Sequence, residues 1–471
     1  MIDPAQQHDV LVVGGGLAGL AATAALARAG ATVTLLEWRP YLGGRAYSYQ
    51  HPALGETIDS QHVVLGCCTN VVSLVQEAGI ADWIRWYDSI VFLEPGGQQT
   101  WLRPGVFPAP LHQTESFLRA PMLSLRDKLA VGRGMMHFLR GAPAEDHESF
   151  SSWLRRTGQT ERAIRHFWEP VVVATLNDNF DRCSVKYAAK VFHESMLRSG
   201  EGGRLGIPAH ALSDFFAPVA REAITQGATI QYRAKVLSLS RGSGASWRVH
   251  LGDGQSLQAT SIILATDLRQ TEQLLGPLRG EAPTEAGIHA EAVADHFIPA
   301  PITTIHLWYD RDITALDHAA LLDTRIQWLF HKSRIRHWPA SRGSYLELVI
   351  SGSFAELNLP RESILAEALR ELALFFPEAS SATLLKSAVL KEARATFSVT
   401  PGLDRYRPPQ QTRWPGLFLA GDWTRTGWPS TMESAVRSGR LAAGAVVGNP
   451  NQFLAPELPA TGLMRWLARS T

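Results

Sequence analysis

The chain has 471 residues, 45% of them hydrophobic and 19% charged, with a formal net charge of +1. That length exceeds what one hydrophobic core supports, so two or more domains are expected. The composition excludes a disordered chain, and the near-neutral charge excludes the strong basic field of a nucleic-acid binder. Only three cysteines occur, two of them adjacent at Cys67 and Cys68. They make neither a disulfide framework nor a zinc spacing, so no metal site is expected and a reducing, cytoplasmic setting is.

In chain order, Asp9 to Val13 is a short apolar run suited to a buried parallel strand. Gly14, Gly16 and Gly19 follow in the G-x-G-x-x-G spacing. Gly14 permits the tight turn, Gly16 lets backbone approach a pyrophosphate, and Gly19 lets a helix pack on the strand. The helix is expected over Leu17–Arg28, with Leu17 and Ala18 presenting free N–H groups to an anion. The next strand, Thr32 to Leu36, ends in Glu37, about 20 residues on, where a carboxylate can accept ribose hydroxyls. This unit fits NAD as well as FAD, and its bland counterpart is an ordinary βαβ unit with a glycine turn. A second glycine turn, Gly43-Gly44-Arg45-Ala46, comes directly after it.

Further on, a strand is expected at 57–59, a helix at 70–78, and a hairpin of strands 90–93 and 99–103 around Glu94-Pro95-Gly96-Gly97. Residues 117–140 read as one basic amphipathic helix. Leu125, Leu129, Met136 and Leu139 follow helical spacing, and Arg119, Arg126, Lys128, Arg133 and Arg140 outnumber the single acid Asp127. Such a helix suits an anionic bilayer surface, or equally a docked helix with a solvated basic side. Residues 147–198 are helical in pattern, and 202–225 read as a glycine turn leading to an amphipathic helix. Strands are expected near 228–240, 246–251, 261–265, 302–309, 326–331 and 344–350, and a helix near 361–375. The strand Leu417–Ala420 runs into Gly421-Asp422, and a helix begins near Pro429-Ser430-Thr431-Met432.

The spacing from Glu37 to Gly43-Gly44-Arg45-Ala46 resembles the flavoprotein superfamily of amine oxidases, protoporphyrinogen oxidases and phytoene desaturases. Residues 417–439 resemble its C-terminal FAD motif. The resemblance selects FAD as the cofactor. It implies that Gly44, Arg45 and Ala46 approach the pyrophosphate, where the guanidinium fork suits phosphate. It implies that Val236 touches adenine through its backbone and that Gly421 and Asp422 meet the ribityl chain. It also implies that Thr431 and Met432 open a helix facing the flavin pyrimidine, where charge on reduced flavin is stabilised. The expected fold is α/β. A discontinuous Rossmann-like FAD-binding domain (1–65, 201–265 and 395–450) joins a mixed α+β substrate domain (66–200 and 266–394), followed by a tail, 451–471.

A narrower resemblance rests on residues 58–70, 107–112, 168–170, 175–177 and 427–435 taken together. They resemble the hydroxysqualene dehydroxylase family of bacterial hopanoid synthesis. The family often reads Asp-Asn-Gly-Gln-His or similar where this chain has Asp59-Ser60-Gln61-His62. The implied reaction replaces an allylic hydroxyl of hydroxysqualene by hydride from flavin N5, giving squalene. The alternatives are FAD-dependent polyene desaturation of the phytoene or squalene type, amine oxidation, and flavin-free binding of prenylated proteins. His62 is the first candidate for the acid that helps hydroxide leave, with Asp59 as its orienting partner; Glu169 and Asn177 follow. A long isoprenoid is nearly insoluble, so it must come from a bilayer or from a squalene-synthase-like enzyme. Peripheral contact at the inner face of the plasma membrane is expected through 117–140, assisted by 463–469.

Overall fold

The computed structural model describes residues 7–242, 246–281 and 293–467, so Ala468 and Arg469 of the expected tail contact lie outside it. The apolar run after Gln7 forms the centre of a seven-stranded sheet. Its order is Thr229–Gln231, Val33–Leu36, Gln7–Val13, Ser256–Leu264, Trp247–Leu251 and Val236–Arg241, with Leu417–Leu419 beside Ser256–Leu264. Gln7–Val13 pairs in parallel with both Val33–Leu36 and Ser256–Leu264. Leu417–Leu419 joins in parallel as well. The central strands are buried on both faces, which is why they read as unbroken apolar runs.

Helix Leu17–Arg28 packs against this sheet and against helices Phe216–Thr225 and Met432–Val446. The contacts are backbone-close. A Cβ on Gly19 would sit 1.9 Å from the Gly14 carbonyl oxygen, and one on Gly439 would sit 2.0 Å from that of Ala18. No side chain fits at either crossing.

A second seven-stranded sheet runs Leu384–Phe397, Pro299–Tyr309, Ser344–Ser351, Trp328–His331, His318–Leu321, Ile90–Leu93, Gln99–Leu102. It is antiparallel except where His318–Leu321 meets Ile90–Leu93. The two-residue period sends Val91 and Leu93 to one face, packed with Ile364 and Leu372 of helix Arg361–Phe375. Phe92 goes to the other face, with the aromatic helical layer of Phe150, Trp153, Trp168 and Phe192. The fold is thus mixed α/β, as expected.

The expected single helix 117–140 is instead two, Thr114–Arg119 and Leu125–His137. Pro121 stops the first, and Ser124 opens the second with a reciprocal capping box to Asp127. Asp127 is therefore a buried cap and not part of the charged face. The run 228–240 is two strands, because Arg233 turns in the left-handed region at φ +57°. Strands the sequence pattern does not announce include Leu205–Pro208, His318–Leu321 and Leu384–Phe397. Among the described residues, no helix is long and apolar enough to cross a membrane.

Candidate active site

The two glycine turns lie back to back. Gly43 N–H donates to the Gly15 carbonyl at 2.9 Å, and Gly16 bridges to Gly43. Gly14 and Gly44 both hold positive φ, +109° and +62°. A Cβ added at Gly16 would find only the Gly44 Cα, at 3.8 Å, so bare backbone from both turns lines one cradle. Gly16 caps helix Leu17–Arg28 without a side-chain acceptor, and no acid stands in its first turn. The first N–H groups at Leu17 and Ala18 therefore remain available to an anion. This is a cradle that a pyrophosphate fits and a side chain would fill.

Glu37 is buried at the end of its strand. One carboxylate oxygen accepts the Gly15 N–H at 2.7 Å and the other the Arg39 N–H at 2.8 Å. Each oxygen keeps a further lone pair for a hydroxyl. The segment leading to Val236 runs past it: Glu37 N–H donates to Gln231 O, and Ala234 N–H donates to Glu37 O. Val236 itself is buried and opens its strand.

The second turn and the C-terminal motif meet directly, since Arg45 Nη2 lies 2.5 Å from Asp422 Oδ1. The other oxygen of Asp422 accepts from Ser430. Burial pushes the Asp422 carboxyl up, but Arg45, Ser430 and Arg407 outweigh it and hold the group below the usual carboxylate range. Gly421 adopts φ +146° and donates its N–H to Ser438 Oγ. Thr431 caps helix Met432–Val446, accepting from Ser434 N–H. Ala46 is buried beside Arg45.

Arg407 gave no signal in the sequence. It is fully buried and donates to the carbonyls of Asp422 and Trp428, to Thr426 Oγ1 and to the Tyr187 hydroxyl. It thereby fixes the loop that carries Asp422.

His62 Nδ1 lies 2.8 Å from the Ser60 carbonyl, which can only accept. The ring hydrogen is therefore on Nδ1, and Nε2 carries a lone pair. Burial pushes the imidazole down from its ordinary value, so the ring is neutral near neutrality, an acceptor at Nε2 but a weakened base. Asp59 does not orient it. It accepts instead from Ser48 and Leu212 N–H, and pairs with Lys332 at 3.1 Å and Arg336 at 3.1 Å. Burial raises its carboxyl, but the two cations prevail and hold it well below the carboxylate range.

Of the two other candidates, Asn177 touches Thr396, one residue along from the Ala395 carbonyl that Arg45 contacts, but has its amide already committed, and Glu169 faces a different set of charges. Asn177 is a helix C-cap at φ +52°; its amide donates to Ala300 O and Thr396 Oγ1 and accepts the Gly352 N–H. All its groups are spent on holding the second sheet. Glu169 is half-buried, and burial raises its carboxyl, but its charged neighbours are Arg165, Glu161, Asp181 and Asp323. None belongs to the glycine turns or the C-terminal motif.

Two glycine turns, a ribose-ready acid and a terminal strand–loop–helix that closes on Arg45 define a dinucleotide-dependent oxidoreductase. Residues 17–447 match the family described as flavin containing amine oxidoreductase, and the chain belongs to that family. FAD is its cofactor. The chain is 24% identical to the 15-cis-phytoene desaturase of Solanum lycopersicum over 94% of its own length and 78% of that protein. It is 26% identical to the 15-cis-phytoene desaturase of Synechococcus elongatus, covering 94% and 97%. Its fold is similar to an oxidoreductase from Methanosarcina mazei, with a TM-score of 0.71 at 16% identity over 94% of this chain and 100% of the other. It is similar too to cyclohexylamine oxidase from Brevibacterium oxydans, with a TM-score of 0.66 at 18% identity, covering 94% and 99%.

Proposed function

We propose that the protein carries out the FAD-dependent reductive dehydroxylation of hydroxysqualene to squalene. The observation that carries a long apolar substrate is an exposed apolar strip. Leu125, Leu129 and Met136 are 69%, 67% and 62% exposed along one helix face. Val106, Phe107, Leu111 and Leu118 are exposed in the segments leading to it, and Leu463 and Trp466 are exposed on the C-terminal segment. That segment is tied to the 105–112 loop by the Leu463 N–H to Ala109 O hydrogen bond. A cavity of about 770 Å³ borders Phe107, with His112 and Arg103 in its wall. A small soluble amine needs no such strip; a C30 polyene drawn from a bilayer does. The phytoene desaturases among the relatives, named for another long isoprenoid, support the same class.

The basic residues contribute less to such a surface than their number suggests. Lys128 donates to Leu118 O at 2.7 Å, and Arg133 to the carbonyls of Thr157 and Gly158. Arg119 pairs with Glu115. Arg126 and Arg140 are exposed, and the apolar strip leads the contact.

In this reading Gly14, Gly16, Leu17, Ala18, Gly19, Gly44, Arg45 and Ala46 seat the pyrophosphate, Glu37 the ribose and Val236 the adenine. Gly421, Asp422, Thr431 and Met432 seat the ribityl chain and flavin ring. Bound reduced FAD supplies the hydride that replaces the hydroxyl. With Nε2 protonated from solvent, His62 would donate that proton to the substrate hydroxyl, which leaves as water as the hydride arrives. Its lowered proton affinity makes this step favour acid pH.

The neutral ring of His62 also favours a second reading, polyene desaturation, in which a base takes a proton while hydride leaves the substrate. The test has two arms, both anaerobic. Reduced protein with hydroxysqualene should yield squalene, and oxidised protein with squalene should stay oxidised. Flavin reduction by squalene or phytoene, with no squalene from hydroxysqualene, selects the second reading.

A further inference from the structure

Below His62 lies a buried charged cluster that no motif announced. Asp59, Lys332 and Glu347 are 2%, 2% and 0% exposed, and the Arg336 side chain is largely buried with them. They come from three places: the loop after strand Glu56–Ile58, the short helix Lys332–Ile335 with its C-cap Arg336, and strand Ser344–Ser351. Burying four ionised groups is expensive unless geometry uses each of them. Here the geometry converges on Gln61. Lys332 Nζ donates to Gln61 Oε1 at 2.7 Å and pairs with Glu347 Oε2 at 3.1 Å. Gln61 N–H donates to Glu347 Oε1 at 2.6 Å, and its side-chain amide donates to the His62 carbonyl at 2.6 Å. Both ends of Gln61 are bolted, and the next residue is His62.

We propose that Lys332 and Glu347 are a positioning pair that fixes the Gln61–His62 turn and sets the electrostatic field at the His62 ring. Neither touches substrate; both act through Gln61. His62 lies within electrostatic reach of Asp59 and Lys332 on one hand and of Arg45, the partner of Asp422, on the other, so the turn the pair holds links the cluster to the Arg45–Asp422 contact. The charged and titratable groups facing Glu347 are Lys332, Asp59 and Arg336, with His306 across the strand pair and Tyr345 on its own strand. Burial raises the Glu347 carboxyl to about 7 against the pull of Lys332. Burial, Lys332 and Arg336 drive His306 down to about 3, so it stays neutral. Asp59 stays ionised. Near neutrality Glu347 is thus the member of the cluster that changes charge. Ionised, it balances Lys332; protonated, it leaves a net positive charge below His62.

The two partners therefore act differently on His62. Over the range below neutrality in which His62 titrates, Glu347 is largely protonated and Lys332 is the unbalanced cation. Lys332→Met removes that cation and should raise the His62 titration midpoint by about half a unit or more. Glu347→Gln keeps the uncharged state and should leave the midpoint in place. Lys332→Arg should restore the wild-type midpoint. The readout is an NMR titration of histidine-labelled, FAD-loaded protein without substrate, with the His62 signal identified by its loss in His62→Gln. No turnover is measured, so the result stands apart from the hydroxysqualene reading. An upward shift in Lys332→Met that Glu347→Gln does not share supports the pair. A midpoint that stays or falls in Lys332→Met, or moves the same way in both, overturns it. Should Lys332→Met fail to fold, Lys332→Gln takes its place, with the same supporting and overturning results.

Discussion

In the first, mostly parallel sheet the functional contacts are made by backbone: Gly14, Gly16 and Gly44 present bare peptide, and helix Leu17–Arg28 presents its N–H groups. In the second, antiparallel sheet they are made by charge, through Lys332 and Glu347 buried behind Gln61. The difference teaches how each half tolerates change. A backbone cradle is broken by any added atom or misplaced charge. A buried ion cluster tolerates shape-conserving swaps but answers in proton affinity.

The largest effect is expected from Glu37→Arg. It removes the acceptor of the Gly15 and Arg39 N–H groups and buries a cation in its place. A loss of about 3–5 kcal/mol at that site is expected, and the protein should purify without its yellow flavin. A full flavin spectrum from this variant would remove the first turn from the cofactor site.

Next comes the apolar strip. Leu125→Glu with Leu129→Glu should cut binding to anionic vesicles by a hundredfold or more, since each inserted leucine is worth about 1.5–3 kcal/mol. Both residues are exposed, so thermal stability should move little. Co-sedimentation with vesicles checks this, and binding equal to wild type would make the strip a bystander. Charge reversal at Lys128 or Arg133 is a poorer probe, because both hold backbone carbonyls.

Asp422→Ala should be milder. It frees Arg45, whose side chain is 49% exposed and can turn to water. Flavin affinity should fall roughly tenfold, about 1.4 kcal/mol, with the fold intact by circular dichroism. Unchanged flavin affinity would separate the C-terminal motif from the cofactor.

The smallest effect is one of pH. Glu347 titrates near 7 in the fold against an ordinary 4.5. A raised carboxyl binds its proton more tightly when folded, so its contribution is complete below about 4.5 and is lost as pH rises through about 7. The stability of wild type relative to Glu347→Gln should therefore decline over that window in urea titrations. A flat difference would contradict the assignment.

Legibility follows the same division. Helix Leu17–Arg28 has the bounds its glycines and apolar run announce, and helix Arg361–Phe375 those its periodicity announces. Turns at Gly14 and Gly44 are readable because positive φ restricts the residue type. Helix 117–140 divides in two because the basic run from Arg119 crosses Pro121, where the chain breaks, while the apolar periodicity begins only at Leu125. Asn177 and Glu169 stand out in the sequence because a polar residue in an apolar helix looks functional whether it caps or reacts. The Lys332–Glu347 pair lacks a motif, since its members meet through tertiary packing. The available signal was the lone acid in the strand Ser344–Ser351, whose eight residues are all buried.

The most direct measurement of the central claim is a single-turnover experiment. Protein reduced with dithionite and freed of excess reductant is mixed anaerobically with synthetic hydroxysqualene. Flavin should reoxidise as squalene forms in equal amount, faster on the acid side of neutrality. Flavin that stays reduced, with hydroxysqualene recovered intact, would contradict it.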